Sequence, residues 1–323
     1  MNYVLLCGVF VSAVGLAGPA LAGSFTYVQL PPGTAAAAIN ANDVVVGSSY
    51  VDNEGFVWQN GQLTKVSAGK SYYTQLTAIN AAGLAIGQYG IESSQEGVTY
   101  DTTTGKIRVF KIRKNGWTFP AAINASGAIT GYDYWHKNKR EEGLVRLGKR
   151  TTKFVVPGAK ATLPADINDA GAVAGDYSTS GGSTEAFIYS NNVFTLYTAP
   201  GATDTYANAI SANGEIGGRA VVNGVITGFT FDGTNTTLYD FPGSDGTIVV
   251  GFGPGDELVG TFNNNSQSFV YTGGQYYQIA LPGSTSTVVT GINAQGWVVG
   301  VSYPNGGAAQ AFIGECAQAP CTQ

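Results

Sequence analysis

A nine-residue frame of apolar and small positions recurs along the chain. It reads INANDVVVG from Ile39, INAAGLAIG from Ile79, INASGAITG from Ile123 and INDAGAVAG from Ile167. Looser copies, ISANGEIGG from Ile210 and FGPGDELVG from Phe252, precede the last, INAQGWVVG from Ile292. These seven copies follow one another at steps of 40 to 44 residues. A period of that length marks a repeat architecture, in which each unit buries its apolar face only against its neighbours. Two further series keep the same beat. Small-apolar-aromatic segments open at Gly55, Gly97, Gly143, Ala186, Gly228, Ser268 and Ala311, and Pro-Gly pairs begin at Pro32, Pro157, Pro200, Pro242 and Pro282.

Within a unit the alternation predicts four short strands. The first ends at Ile-Asn and the second runs to the final Gly of the frame and the aromatic beyond it. The third is the small-apolar-aromatic segment. The fourth precedes Pro-Gly, as in Phe194-Thr195-Leu196-Tyr197. Asn-Ala-x-Gly between the first two strands has the chemistry of a type I turn, with Asn bonding the turn backbone and Gly at its fourth position. The sixth copy substitutes Gly253-Pro254-Gly255-Asp256, with Pro at the second turn position. Four strands per unit, seven times over, predict an all-β fold: a seven-bladed β-propeller of four-stranded blades. The stretch from Phe25 to Gly33 reads as a fourth strand without predecessors, and the last copy stops after its third strand near Ala311-Phe312-Ile313. The N-terminal strand is therefore expected to complete the last blade and close the ring, removing exposed edges. An open β-solenoid is the rival arrangement, and it gives no reason for complementary ends.

The INAxGxxxG frame, the AFIY-like third strand and the spaced Pro-Gly pairs resemble the bacterial extracellular repeats often called HAF repeats. The resemblance spans nearly all of the chain after its leader. It implies a repeat fold outside the cytoplasm and carries no activity. Copies two and three lack Pro-Gly and are the divergent ones.

Composition narrows the picture. Gly occurs 46 times in 323 residues, charged residues make up 11%, and 44% of residues are apolar. That excludes charge-driven disorder and does not suit a helical bundle. An apolar run from Tyr3 to Ala17 followed by Ala20-Leu21-Ala22 reads as a secretory signal cut after Ala22, although no Lys or Arg precedes the run. A retained membrane anchor is the other reading. The domain plan is then 1–22 signal peptide, 23–315 propeller and 316–323 tail. With Cys7 removed, Cys316 and Cys321 remain, and a pair so spaced at an exported C-terminus is expected to form a small local disulfide. The mature chain is expected to be a secreted or periplasmic monomer with no membrane span.

Charge is unevenly placed. Between Lys106 and Lys160 lie 13 of the 16 Lys and Arg and only three carboxylates, so this stretch carries +10 and the remainder −15. Such a field can hold an anionic partner, and the alternative is a solvated face with no partner. The candidate contacts are Lys111, Arg113, Lys114, Lys137, Lys139, Arg140 and Lys160, with Trp117 and Tyr72 as aromatic support. Other rings in the same connections are Tyr73, Phe119 and Tyr206, beside Lys70 and Asp204, and these rings could equally seal the packing between blades. An anionic polysaccharide or envelope polymer is the expected partner, with a protein as the alternative. Nucleic acid fits poorly with an exported, net acidic chain.

No motif identifies a reaction. His136 is the only histidine, and no metal-ligand spacing occurs, so no cofactor or metal is implied. Asp133 and Glu141 could orient His136 as a base, but no nucleophile accompanies it. A polysaccharide hydrolase or lyase would need paired carboxylates at the channel mouth, for which Asp166, Asp204 and Asp256 are candidates.

Overall fold

The structure is a computed structural model that describes residues 4–5, 21–22, 25–69, 72–91, 94–255 and 257–316. Cys321, Lys70, Asp256 and most of the leader lie outside the described residues, so the disulfide and the signal sequence do too. Among the described residues every regular element is a β-strand, and no helix is long and apolar enough to cross a membrane.

Each copy of the sequence frame forms a run of four antiparallel strands. Unit 1 comprises Thr34–Ile39, Val45–Ser49, Glu54–Gln59 and Gln62–Val66, and unit 2 Tyr73–Ile79, Leu84–Ile91, Ser94–Asp101 and Lys106–Phe110. Unit 3 comprises Gly116–Ile123, Ile129–Trp135, Arg140–Leu147 and Arg150–Phe154. Unit 4 follows with Ala161–Ile167, Val173–Ser178, Thr184–Ser190 and Val193–Tyr197. Unit 5 has Ala202–Ile210, Ile216–Val222, Val225–Phe231 and Thr236–Tyr239, and unit 6 Thr247–Phe252, Leu258–Phe262, Gln267–Thr272 and Gln275–Ile279. Unit 7 supplies Ser284–Ile292, Val298–Pro304 and Gln310–Cys316, and the early strand Phe25–Pro32 pairs antiparallel with the last of these. Short segments Val4–Leu5 and Leu21–Ala22 lie parallel to the outer strands of units 4 and 6.

Three local rules explain why this sequence repeats as it does. The first is the bulge. In every unit the first strand slips by one residue opposite the glycine that ends the nine-residue frame, as between Leu76 and Ala78 against Gly87. A Cβ on Gly87 would overlap the carbonyl oxygen of Gln75, so the bulge requires glycine there. The second is a buried ring or branched side chain from the third strand over that glycine: Phe56, Leu144, Phe187, Phe229, Phe269 and Phe312 are at most 1% exposed. Burying each contributes about 1.5–3 kcal/mol.

The third rule is a threonine near the start of the first strand. Its Oγ1 accepts the N–H of the residue six positions earlier: Ala68 to Thr74, Ile112 to Thr118, Val156 to Thr162, Ala199 to Thr205, Phe241 to Thr247 and Leu281 to Thr287, at 2.8 to 3.2 Å. Each bond pins the connection between units. Where Pro-Gly is present it turns as a type II turn, with Gly158 at φ 81° and the Ala159 N–H donating to the Val156 carbonyl at 3.0 Å.

The Asn turns form as expected. The Gly83 N–H donates to the Asn80 carbonyl at 3.0 Å, and Gly83 sits at φ 80°. The Asn80 N–H also donates to the Leu84 carbonyl at 3.1 Å, and unit 6 keeps that bond through different residues, from the Gly253 N–H to the Glu257 carbonyl at 2.9 Å.

The apolar core lies between successive sheets. Phe154, Val156 and Ala128 of unit 3 pack on Ile167, Val173 and Phe187 of unit 4. Unit 7 meets unit 1 in the same way, with Val299, Ala311 and Ile313 against Ala36, Val45 and Phe56. Trp297 flanks that cluster as a core side chain.

Candidate functional site

An up-and-down run of four strands sends its Asn turn and its third-to-fourth turn to one end, and its other connections to the opposite end. The second end is where the candidate contacts gather. Lys111, Arg113 and Lys114 lie in the connection into unit 3, Lys137 and Lys139 in the loop of unit 3 before Arg140, and Lys160 in the connection into unit 4. Tyr72 sits one unit away, before the first strand of unit 2. The +10 stretch is therefore not one patch: Arg146, Lys149 and Arg150 flank the third-to-fourth turn at the other end, where Arg146 covers Phe110 at 4.9 Å.

Register sorts the side chains of unit 3. Trp117 pairs with Tyr134 and Phe119 with Tyr132, so the four rings share one side of the sheet. Phe119 stacks on Tyr132 with centroids 4.7 Å apart. Trp117 lies 5.4 Å from Tyr134, and His136 stands edge-on to both, 4.8 Å from Trp117. All four aromatic rings are half-buried, while His136 is exposed. Glu141 pairs with Tyr134 on the same side, and burial holds its carboxyl above the usual range.

The opposite side of the same strands is ionic. Asp133, 0% exposed, accepts from Arg113 Nε and Lys153 Nζ at 3.2 Å each, with Thr118 at its other oxygen. Arg113 also pairs with Glu142, and its guanidinium covers Trp135 at 4.5 Å. Removing one partner of so buried a cluster costs about 3–5 kcal/mol. Asp133 therefore faces away from His136 and does not orient it.

Of the candidate contacts, Arg113 belongs to this cluster, Lys111 pairs with Glu96 at 3.4 Å, and Arg140 donates to the Ala159 carbonyl at 3.1 Å. Lys114, Lys137, Lys139 and Lys160 are exposed, and the Lys137 ammonium lies 5.9 Å from the ring of Trp135 on the ionic side. Tyr72, 43% exposed, meets Tyr89 edge-on at 5.5 Å beside a separate cleft of about 760 Å3 that Asp52, Tyr73 and Ile91 also line.

Of the carboxylate candidates, Asp166 and Asp204 are not brought together. Asp166 lies at the Asn-turn end, where its oxygens accept the N–H groups of Ile167 at 2.8 Å and Ile210 at 2.9 Å. Burial nonetheless pushes its pKa up. Asp204 lies at the other end of its strand, accepting from the Thr184 N–H at 2.9 Å. A third carboxylate that sequence reading passed over is Asp176. Burial pushes its pKa up to about 7 against the opposing charge of Arg219, which itself covers Tyr206 at 4.1 Å. Among the described residues no group of three or more His, Cys, Asp and Glu could hold a metal ion.

Sequence reading also missed Tyr132 and Tyr134 as partners of Phe119 and Trp117. The signal was present, since Tyr-x-Tyr in one strand answers Trp-x-Phe in the strand before it.

No protein-family model matches the chain, and no curated protein matches it. Solved structures do. The β-propeller domain of Cps50 (Swd1) from Myceliophteria thermophila aligns with TM-score 0.52 at 8% identity, over 90% of this chain and 98% of that one. The fold is a β-propeller. Each four-stranded unit is accordingly one of its blades. An inactive virginiamycin B lyase from Staphylococcus aureus with quinupristin aligns with TM-score 0.58 at 12% identity, over 90% of this chain and 99% of that one. YCF48 from Cyanidioschyzon merolae aligns with TM-score 0.58 at 8% identity, covering 89% and 98%. Identities this low establish shared architecture and nothing of ligand or reaction.

Proposed function

We propose that the chain is an exported, closed, seven-bladed propeller of the HAF-repeat kind that holds an anionic glycan or envelope polymer on blade 3. The observation that carries this reading is the half-buried strip of Phe119, Tyr132, Trp117 and Tyr134 on a blade whose connections at the same end carry exposed Lys114, Lys137, Lys139 and Lys160. Ring faces pack against the C–H faces of sugars while ammonium groups meet carboxylates or sulfates at the rim. The ion cluster behind the strip holds the second strand rigid, which lowers the ordering cost of binding. Closure is supported by the pairing of Val28 with Ile313 and by the Asn293 Nδ2 bond to the Asn40 carbonyl at 3.1 Å.

The test is calorimetric titration of polygalacturonate, with dextran as the neutral control. Binding of polygalacturonate alone, weakening as salt rises, is the expected result. Dextran binding equally well, or affinity indifferent to salt, would reject the reading. Shortening of the polymer or new unsaturated ends during the titration would instead favour a hydrolase or lyase.

A further inference from the structure

On the end opposite Lys114, Lys137, Lys139 and Lys160, the Asn turns are joined side chain to backbone. Asn40 Nδ2 donates to the Asn80 carbonyl at 2.9 Å, Asn80 to Asn124 at 3.1 Å, Asn124 to Asn168 at 3.0 Å and Asn168 to Ser211 at 3.1 Å. Asn293 donates to Asn40 at 3.1 Å. Each Asn Oδ1 meanwhile accepts the N–H four residues on, as in Leu84 to Asn80 at 3.0 Å. One residue type thus closes its own turn and ties it to the next.

Two positions break the belt. Ser211 keeps the local half, its Oγ accepting the Glu215 N–H at 3.0 Å, but carries no amide to extend toward blade 6. Gly253 has no side chain at all. Blades 5 and 6 are joined deeper in, where Asn208 Nδ2 donates to the Val249 carbonyl at 2.9 Å. Above that bond a cleft of about 690 Å3 opens, running from the Ser211 turn across Gly253 to the Asn293 turn. That volume lies within the range of small-molecule sites, roughly 300–1,000 Å3.

The lining defines the ligand. Phe252, Leu258 and Ile292 form an apolar wall, while Glu215 and Glu257 bring carboxylates and the turns bring backbone carbonyls. The charged side chains of this lining are thus both acidic. The surrounding stretch is acidic as well, with seven carboxylates and one Arg between residues 201 and 260.

We propose that this cleft binds an organic cation, a guanidinium or primary ammonium on a short apolar chain, whose N–H groups take the place of the missing Asn amides. The cation head sits against the carboxylates and turn carbonyls, and its chain lies on Phe252 and Ile292. The head can come from a free amine or from an Arg or Lys side chain of a peptide, and both present the same donors.

Titrating the full chain with n-butylguanidinium, with pentanoate as the anion of similar length, tests the proposal. Saturable binding of butylguanidinium without binding of pentanoate is expected. Ser211→Asn should restore the amide and weaken binding by at least about tenfold while the melting temperature holds or rises. Glu215→Gln should weaken it by about tenfold through loss of a charge-assisted bond. Gly253→Asn would crowd Ile292 Cδ1, 2.7 Å from a Cβ at that position, so Ser211→Asn is the decisive variant. Lys137→Ala with Lys139→Ala, on the opposite end, should bind butylguanidinium as wild type does. A Gly-Ser pentapeptide with one central Arg distinguishes the sources: tighter binding than butylguanidinium points to a peptide ligand, and weaker binding to a free cation. No binding of butylguanidinium, equal binding of pentanoate, or unchanged affinity in both Ser211→Asn and Glu215→Gln would overturn the proposal.

Discussion

Blades 1 to 4 and blades 5 and 6 obey the same strand rules and part company at one turn position. All of them keep the first-strand bulge and the opposing glycine, and blades 2 to 6 keep the pinning threonine as well. Only the first group keeps Asn at the turn, and there the blades are tied along one end. In the second group Ser211 and Gly253 stand instead, and a cleft lies between the turns. Positions that hold the fold are the ones that repeat. The two proposed ligand surfaces lie where the chain departs from the repeat, at Ser211 and Gly253 on one end and at the aromatic strands and lysine-rich connections of blade 3 toward the other.

The largest effect expected is from removing Phe25 to Leu30, which strips the outer strand from blade 7 and takes Leu30 out of the cluster shared by blades 7 and 1. Melting should move far more than for any single substitution, and hydrogen exchange should rise first in Gln310–Cys316. A truncated chain as stable as the full one would contradict closure.

Next comes the belt itself. Asn80→Ala removes a buried side chain that both accepts within its turn and donates to Asn124, and should cost about 1–3 kcal/mol in denaturant unfolding. Ser211→Ala removes only the local bond and should cost about 0.5–1.5 kcal/mol. Equal costs at the two sites would erase the distinction drawn between the two groups of blades.

A smaller effect concerns pH. Asp176 has its folded pKa raised to about 7, so the native state holds a proton that the unfolded chain has released. Stability from this site is full below the ordinary carboxylate range and is lost as pH rises through about 7. Asp176→Asn should therefore gain on wild type in melting temperature between about pH 4 and about pH 8. A constant difference across that range would show that the group titrates normally.

Much of the fold was legible because the repeat states its strand order seven times, and the Asn turn and Pro-Gly five times each; with the complementary ends, all appear as spacing. The pinning threonine escaped notice because Thr is common in strands, and only the bond to the residue six earlier gives its position meaning. The candidate site was half legible. Lysine enrichment and Trp117 pointed to blade 3, but which cations are committed inward depends on register. Asp133 points away from Trp117 because it pairs with Thr118, and so captures Arg113 and Lys153. The cleft was illegible as chemistry, since what makes it is the loss of two amides whose reach between blades no spacing reveals.

Hydrogen exchange of the full chain with and without polygalacturonate tests the central claim most directly, because it maps contact residue by residue. The account predicts protection confined to residues 114–119 and 132–141, with the turns at 80–83 and 211–215 unchanged. Protection centred on the Asn-turn end, or none under saturating polymer, would contradict it.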